Sequence, residues 1–462
     1  MRIAIIGAGL AGLTAAYELK KLDKNVEIEV FEAADRIGGK LYTVPFASGP
    51  TDMGAEAFVD PTGSVQEFLK ELDLENELVE PSGLSSLIYA NGKLFSLPKG
   101  TLMGIPATSE GFAEIVDQQT CDRIDNEANQ DSIVWDEQDQ SLGALIEQRY
   151  GAQVSDRVVS ALQGGVYSAA SSDLGIRATI PQLAQEFDRM KEQGEKITLS
   201  HAIKNILEMR AANQVAGYKP SLFKTFNDGY HLLYEALAEK SEAIIHVDAF
   251  ISGVTKEKGK FHIKGAGDSL FDKVLFATPA PTTAMLVKTL VPEIVEPLKT
   301  IPLASSVVVG MKFDSDEGLP DNSGVLVALD EEFVHAKAFT FASKKWPHLA
   351  KRGGALVRAS FGRYRDDIAM RVDEDTLVDY ALDDLQRITG FDGRTAGLSE
   401  IYVQRWFGGL PVYNEKHLAT VNAINDVVEQ YDDLALCGAW AYGVGVPAVI
   451  AHARAIAKKL IS

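Results

Sequence analysis

Cysteine is nearly absent from this chain: 462 residues contain two, Cys121 and Cys437. They form neither a CxxC pair nor a metal-ligand spacing, so no structural disulfide and no redox or zinc motif is expected. Eight histidines are scattered with no HxH or HExxH grouping, and no metal site is expected. No run of eighteen apolar residues occurs, which excludes a membrane-spanning helix. The chain opens on a strand pattern rather than on a signal peptide, so a cytoplasmic protein without a membrane anchor is expected. Basic residues are also short: 45 Lys and Arg stand against 65 Asp and Glu, a formal charge of −20. That balance argues against nucleic acid and against an anionic membrane surface. An anionic substrate would need a locally basic pocket.

Apolar content of 46% and charged content of 24% are those of a globular protein, with length for two or three domains. The most informative stretch comes first. Residues 2–6 form a short β-rich run, followed at once by Gly7-Ala8-Gly9-Leu10-Ala11-Gly12. Leu10, Leu13, Ala16 and Tyr17 then recur at helical spacing, and a second β-rich run at 26–31 ends at Glu32. Strand, glycine turn, helix, strand and acid together make the dinucleotide fingerprint. Gly7 permits the tight turn, Gly9 close approach of a pyrophosphate, and Gly12 close packing of helix on strand. The helix N-terminus offers N–H groups to the phosphates, and Glu32 suits a ribose hydroxyl.

The sequence continues Glu32-Ala33-Ala34-Asp35-Arg36-Ile37-Gly38-Gly39-Lys40. This E-x-x-x-R-x-G-G extension resembles the FAD-dependent amine oxidase superfamily, whose members lay these residues along the FAD pyrophosphate and ribose. The implied cofactor is FAD. Further segments match in order. Asp52-Met53-Gly54-Ala55-Glu56 is similar to a segment placed beside the isoalloxazine; a loop into a helix at 64–72 is the lesser reading on pattern alone. A glycine, helix and strand unit at 229–254 is implied to return the chain to the FAD domain, with Ile251 in a strand holding the adenine through its backbone. Thr278-Pro279 ends a central strand at 274–279. At the C-terminus, a strand leads through Gly438 and a small-residue loop to Gly445-Val446-Pro447, where a helix begins. The resemblance implies that this helix N-terminus faces the flavin edge that becomes negative on reduction.

Inside the chain the resemblance narrows. A hairpin at 87–97, turning on Asn91-Gly92, precedes Pro98-Lys99-Gly100-Thr101-Leu102-Met103-Gly104-Ile105-Pro106. Residues 150–183 include Gly164-Gly165-Val166-Tyr167 and Arg177. Segments at 339–348 (with Lys344 and Lys345), Arg405-Trp406, Pro411, Tyr413 and His417 follow. Together they resemble the soluble Gram-positive porphyrinogen oxidases, specifically the coproporphyrinogen III-oxidising branch. Departures are Val412 for a glutamine, Lys416 for a glycine and Ala448 for an acid. Between residues 110 and 139 ten acids face one base, Arg123. Membrane-attached relatives are implied to touch lipid there; here it reads as a solvated face.

The expected fold is α/β: a discontinuous Rossmann-type FAD domain (1–82, 222–289, 427–462), a mixed-sheet substrate domain (83–106, 290–426) and a helical domain (107–221). The implied activity is FAD-dependent oxidation of coproporphyrinogen III to coproporphyrin III in haem biosynthesis, with O₂ as acceptor. Protoporphyrinogen IX oxidation is the near alternative, and a non-catalytic FAD-containing porphyrin carrier the distant one. The implied cofactor set is Gly7, Ala8, Gly9, Leu10, Ala11, Gly12, Glu32, Ala33, Arg36, Gly38, Gly39, Lys40, Met53, Gly54, Ala55, Glu56, Ile251, Thr278, Trp406, Gly438, Gly445 and Val446. Candidate substrate contacts are Lys99, Gly165, Tyr167, Arg177, Lys344 and Lys345, the cations for propionates, though each cation alone reads more readily as a surface charge. Gly164-Gly165 could equally be a helix cap before a buried tyrosine. Cys437 reads as strand packing rather than a flavin link. The reaction needs no protein nucleophile or base, so no catalytic residue is named. A transient contact with a ferrochelatase is a conceivable partnership; the oligomeric state is open.

Overall fold

A computed structural model describes residues 1–60, 63–212 and 223–462. The chain divides into two compact units. One comprises Met1–Glu80, Leu222–Pro302 and Ala419–Ser462; the other comprises Pro81–Ser221 and Leu303–Leu418. The junction expected between residues 221 and 222 lies outside the described residues.

The first unit is built on a five-stranded parallel sheet. Its order is Ile244–His246, Glu27–Phe31, Arg2–Ile6, Lys273–Phe276, Leu434–Leu436. The central strands are near-continuous apolar runs because both faces are covered, as parallel sheets require. Helix Leu10–Leu22 is buried over most of its length and packs on the C-terminal helix Val446–Ile461. Glu18, 1% exposed in the middle of the first helix, accepts from Arg454 Nε at 2.9 Å. The same guanidinium reaches Glu71 at 3.1 Å, so one arginine ties three helices of this unit together. The strand expected to hold Ile251 begins later, at Gly253. Ile251 itself is buried in the connection, where its side chain joins the core under the small sheet of Gly253–Glu257 and Lys260–Lys264.

The second unit carries a seven-stranded mixed sheet in the order Leu398–Pro411, Leu303–Phe313, Ala355–Phe361, Ala336–Phe341, Gly324–Val327, Ser86–Ala90, Lys93–Ser96. Only the pair Gly324–Val327 with Ser86–Ala90 is parallel. The hairpin turn falls at Asn91 (φ 52°) and Gly92 (φ 68°), both left-handed as a tight two-residue turn demands. The helical stretch after residue 107 belongs to this unit, because its core continues into Ile88, Ala90, Ala304, Ala328 and Val412. Inside it Glu127, fully buried, pairs with Arg149 at 2.6 Å. The glycine pair does not end its helix. Gly164 and Gly165 lie in the last turn of Ser160–Tyr167, and the left-handed cap is Ser168 (φ 52°). Among the described residues no helix is long and apolar enough to cross a membrane.

Candidate functional site

In the first unit the glycine turn is shaped for a ligand rather than for a side chain. A Cβ on Gly12 would lie 1.9 Å from the Gly7 carbonyl oxygen, and one on Gly7 (φ 106°) 2.8 Å from that of Ala277. Both positions exclude anything larger. At Gly9 the nearest atom to a built Cβ is the Gly39 Cα at 3.8 Å. Gly9 therefore needs no glycine for the fold, and its missing side chain leaves main chain open. Gly9 is the N-cap of Leu10–Leu22, with no capping side chain and no acid in the first turn. The free N–H groups and dipole of that turn are set for an anion such as a pyrophosphate.

Glu32 closes the turn from the adjacent strand. Its carboxylate accepts from the Ala8 N–H at 2.8 Å and the Ala34 N–H at 2.9 Å. The loop that follows is drawn back under the turn by the Gly38 N–H to Ala8 carbonyl bond, 2.9 Å. Ala33 begins that loop and leads to Arg36, which donates to the carbonyls of Ile37 and Gly39 and lies 3.8 Å over the Tyr42 ring. Burial pushes the Lys40 ammonium down to about 8. Gly54 fits against the Lys40 carbonyl, where a Cβ would sit 2.0 Å away. The Met53 N–H bonds Tyr42 and the Ala55 N–H bonds Lys40, so the segment through Glu56 runs alongside residues 40–42. Thr278 leaves the central strand region with its hydroxyl on Thr283, 2.8 Å away.

A second helix N-terminus in the same unit has the same character. Gly445 caps Val446–Ile461 with no side-chain bond and no acid in the first turn. Gly443 must be bare there, since its Cβ would lie 2.5 Å from that of Ala448. Gly438 (φ 149°) leads out of the strand after Cys437, and burial pushes that thiol up to about 12. A thiol so inert suits packing. The residues fit FAD: two open N-termini for negative charge, a glycine cradle and an acid on a strand end.

The remaining expected residues lie in the second unit. Trp406 sits on Leu398–Pro411, opposite Ser306. Tyr167 is 5.9 Å from Tyr413, which stacks on His417 at 3.8 Å, so three of the motif residues converge. Burial raises the Tyr167 phenol to about 12. Val412 is fully buried in the helical core, which is why an apolar residue replaces the expected glutamine. Lys99 and Gly165 are exposed. Arg177 donates to both Asp188 oxygens at 2.7 and 2.8 Å and lies over Trp135. Lys344 bridges Asp316 and Asp321 at 3.0 and 2.9 Å, and Lys345 lies over Trp346. The charges of Arg177 and Lys344 are thus matched by the chain's own acids. Sequence reading passed over two cations, Lys337, which the fold buries, and Arg363, which it half-buries. The available signal was a lone charged residue, Lys337, in a run at 336–341 that is otherwise apolar but for Thr340.

The family model for flavin containing amine oxidoreductases matches residues 10–461. Coproporphyrinogen III oxidase of Mycobacterium tuberculosis (strain ATCC 25618 / H37Rv) is 34% identical over 453 residues, 97% of this chain and 95% of the relative. The Staphylococcus aureus protein of that name is 26% identical over 100% of this chain and 99% of its own length. Among solved structures, a putative protoporphyrinogen oxidase from Exiguobacterium sp. 255-15 superposes with TM-score 0.86 at 25% identity, covering 100% of this chain and 99% of that one. A redesigned putrescine oxidase shares the fold, with TM-score 0.68 at 14% identity over 100% and 98% of the two chains.

Proposed function

This chain belongs to the flavin containing amine oxidoreductases, and from that premise we propose that it oxidises coproporphyrinogen III to coproporphyrin III in haem biosynthesis. The observation that carries the reading is end-to-end similarity to several coproporphyrinogen III oxidases, at 34% identity to the mycobacterial ones. It is a flavoprotein of the FAD kind, and FAD supplies the acceptor for hydride from the methylene bridges between the pyrroles. The overall change removes six electrons and six hydrogens, passed to three O₂ as three H₂O₂.

The work left to the chain is binding, orientation and exclusion of water. In the first unit the N-terminus of Leu10–Leu22 takes a pyrophosphate, and Glu32 takes a ribose hydroxyl. The N-terminus of Val446–Ile461, bare of acids, favours the negative charge that accumulates on reduction. Met53, Gly54, Ala55, Glu56, Lys40, Ile251, Thr278 and Trp406 complete the proposed cofactor contacts, and Lys99, Gly165, Tyr167, Arg177, Lys344 and Lys345 remain proposed for substrate. The proposed compartment is the cytoplasm, in keeping with the free, buried Cys121 and Cys437. Hand-over of the porphyrin to an iron-inserting ferrochelatase is the proposed next contact.

Aerobic turnover of coproporphyrinogen III and protoporphyrinogen IX, followed side by side by porphyrin fluorescence on FAD-loaded protein, tests this. Preference for coproporphyrinogen is expected. Preference for protoporphyrinogen moves the enzyme to the other substrate, and no turnover of either sinks the oxidase reading.

A further inference from the structure

Strand Ala336–Phe341 is apolar apart from Lys337 and Thr340, and Lys337 is 6% exposed. It sits at a register irregularity: Ala336 pairs with Phe361 and Ala338 with Ser360, leaving Lys337 between them. Bulges of this kind re-aim a side chain. The ammonium donates to the Gly362 carbonyl at 2.7 Å and to the Ser168 hydroxyl at the cap of Ser160–Tyr167. Arg363 follows Gly362 directly. Its Nη2 makes one long bond, 3.4 Å, to the Val327 carbonyl, while its Nε is buried without a partner. No carboxylate of the described residues comes within 4.0 Å of either cation. Asp366 acts on both only through its field, and each cation is pushed below its ordinary pKa chiefly by burial. The contrast within the same unit is Arg149, whose charge meets Glu127 at 2.6 Å.

Two further observations come from the helix Ser160–Tyr167, whose cap Ser168 accepts from Lys337. Gln163 is fully buried, yet neither its amide nitrogen nor its oxygen has a partner. Gly164, next to it in sequence, places a built Cβ 3.5 Å from the Arg363 Nε, so the bare glycine keeps a side chain off that edge of the guanidinium. Buried like charges and an orphaned amide are unfavourable unless something else answers them. A planar guanidinium with a free Nε–H edge matches a carboxylate, which it binds through two parallel bonds.

We propose that Arg363, supported by the Lys337 charge and the Gln163 amide, is the receptor for a carboxylate of the bound ligand. Resting on the function proposed above, that carboxylate is one propionate of the porphyrinogen. This assigns one propionate to Arg363 and Lys337, two cations with no acid of their own within 4.0 Å, whereas Arg177 and Lys344 are paired with acids.

The test uses FAD-loaded protein titrated with coproporphyrin III and, separately, with its tetramethyl ester. Wild type is expected to bind the free acid about tenfold or more tighter than the ester, the scale of one charged hydrogen-bonded contact. Arg363→Gln is expected to lose about tenfold on the free acid, to leave the ester unchanged, and to raise KM with little change in kcat. Arg363→Lys is expected to recover part of the loss. Gln163→Leu serves as the second variant: it removes a buried orphan amide, so the melting temperature should rise while free-acid binding weakens. Wild-type affinity for the free acid in R363Q, with wild-type turnover intact, overturns the receptor and leaves the oxidase reading standing. Wild-type holoprotein that neither turns over coproporphyrinogen nor binds coproporphyrin overturns both.

Discussion

Glu32 holds the Ala8 N–H at 2.8 Å, linking the end of the second strand to the glycine turn that follows the first. The carboxylate thus shapes the turn and stands where a ribose hydroxyl would be received. Replacing it with the neutral amide keeps an acceptor but removes the charge, which is worth about 1.5 kcal/mol or more in such bonds. Glu32→Gln should fold and bind FAD at least about tenfold more weakly. Flavin fluorescence titration of the apoprotein reads this directly; undiminished affinity would take Glu32 out of the cofactor set.

Gly9 and Gly12 separate fold from ligand. A Cβ on Gly12 meets the backbone oxygen of Gly7 at 1.9 Å, and neither side can move away. Gly12→Ala should destabilise the first unit by about 3 kcal/mol, the upper range of overpacking. A Cβ on Gly9 meets only Gly39 Cα at 3.8 Å, an ordinary contact. Gly9→Ala should therefore melt like the wild-type apoprotein while retaining far less FAD. Equal melting of the two apoproteins would show that the contrast is wrong.

How much of this was legible in the residues follows from what kind of signal each carried. The cradle was readable because a glycine turn, an acid twenty residues on and a second glycine pair act locally, through backbone conformation and short sequence spacing. Asn91-Gly92 was readable for the same reason. Strand Leu398–Pro411 was not foreseen beyond its Arg405-Trp406 pair, because most of its residues are only half-buried and show no clean alternation, and its order comes from pairing with Leu303–Phe313. Ile251 was misplaced into a strand since β-branched residues pack as well in a buried connection. Gly164 and Gly165 read as a helix end, but tertiary packing carries the helix through them to Ser168. Lys337 stands out as a lysine in an apolar strand, but its approach to the Gly362 carbonyl beside Arg363 was not readable, because strand pairing brings together residues far apart in sequence.

Ala448 stands in the first turn of Val446–Ile461, where the sequence resemblance implies an acid. Ala448→Asp places a negative charge at a positive helix end, which favours the helix by up to about 1 kcal/mol. The same charge opposes electrons arriving nearby. The flavin midpoint potential should fall by about 20 mV, the two-electron equivalent of that energy. Dye-coupled reductive titration would measure it, and an unchanged or raised potential would remove this helix end from the redox site.

Glu127 carries more than a salt bridge. Besides Arg149, it accepts from the Leu199 and Ser200 N–H groups at 2.9 and 3.0 Å and from the Ser200 hydroxyl at 2.6 Å. It therefore caps the helix Leu199–Ala212 while neutralising a buried guanidinium. Glu127→Ala leaves Arg149 buried and unpaired, a loss of about 3–5 kcal/mol. Urea unfolding should show that loss, whereas Lys204→Ala, on an exposed ion pair with Glu208, should show almost none.

Lys337 makes stability depend on pH in a defined direction. Burial first, then the charge of Arg363, pushes its ammonium from an ordinary 10.5 down to about 7, against the opposing pull of Asp366. Below pH 7 the lysine is protonated both folded and unfolded, and the full penalty of the buried charge is present. Between 7 and 10.5 the unfolded chain binds the proton and the folded one does not, so stability rises with pH. From pH 7 to pH 9 the increment is of order 2 kcal/mol. Wild type should gain that much relative to Lys337→Met in urea unfolding at the two pH values, other titrating groups cancelling in the difference. A carboxylate seated on Arg363 would draw the lysine back toward its charged form. Binding of coproporphyrin III at pH 8 should then take up a proton, seen as a dependence of the calorimetric heat on buffer ionisation enthalpy. In Lys337→Met that dependence should shrink; if it persists at full size, the proton belongs to another group.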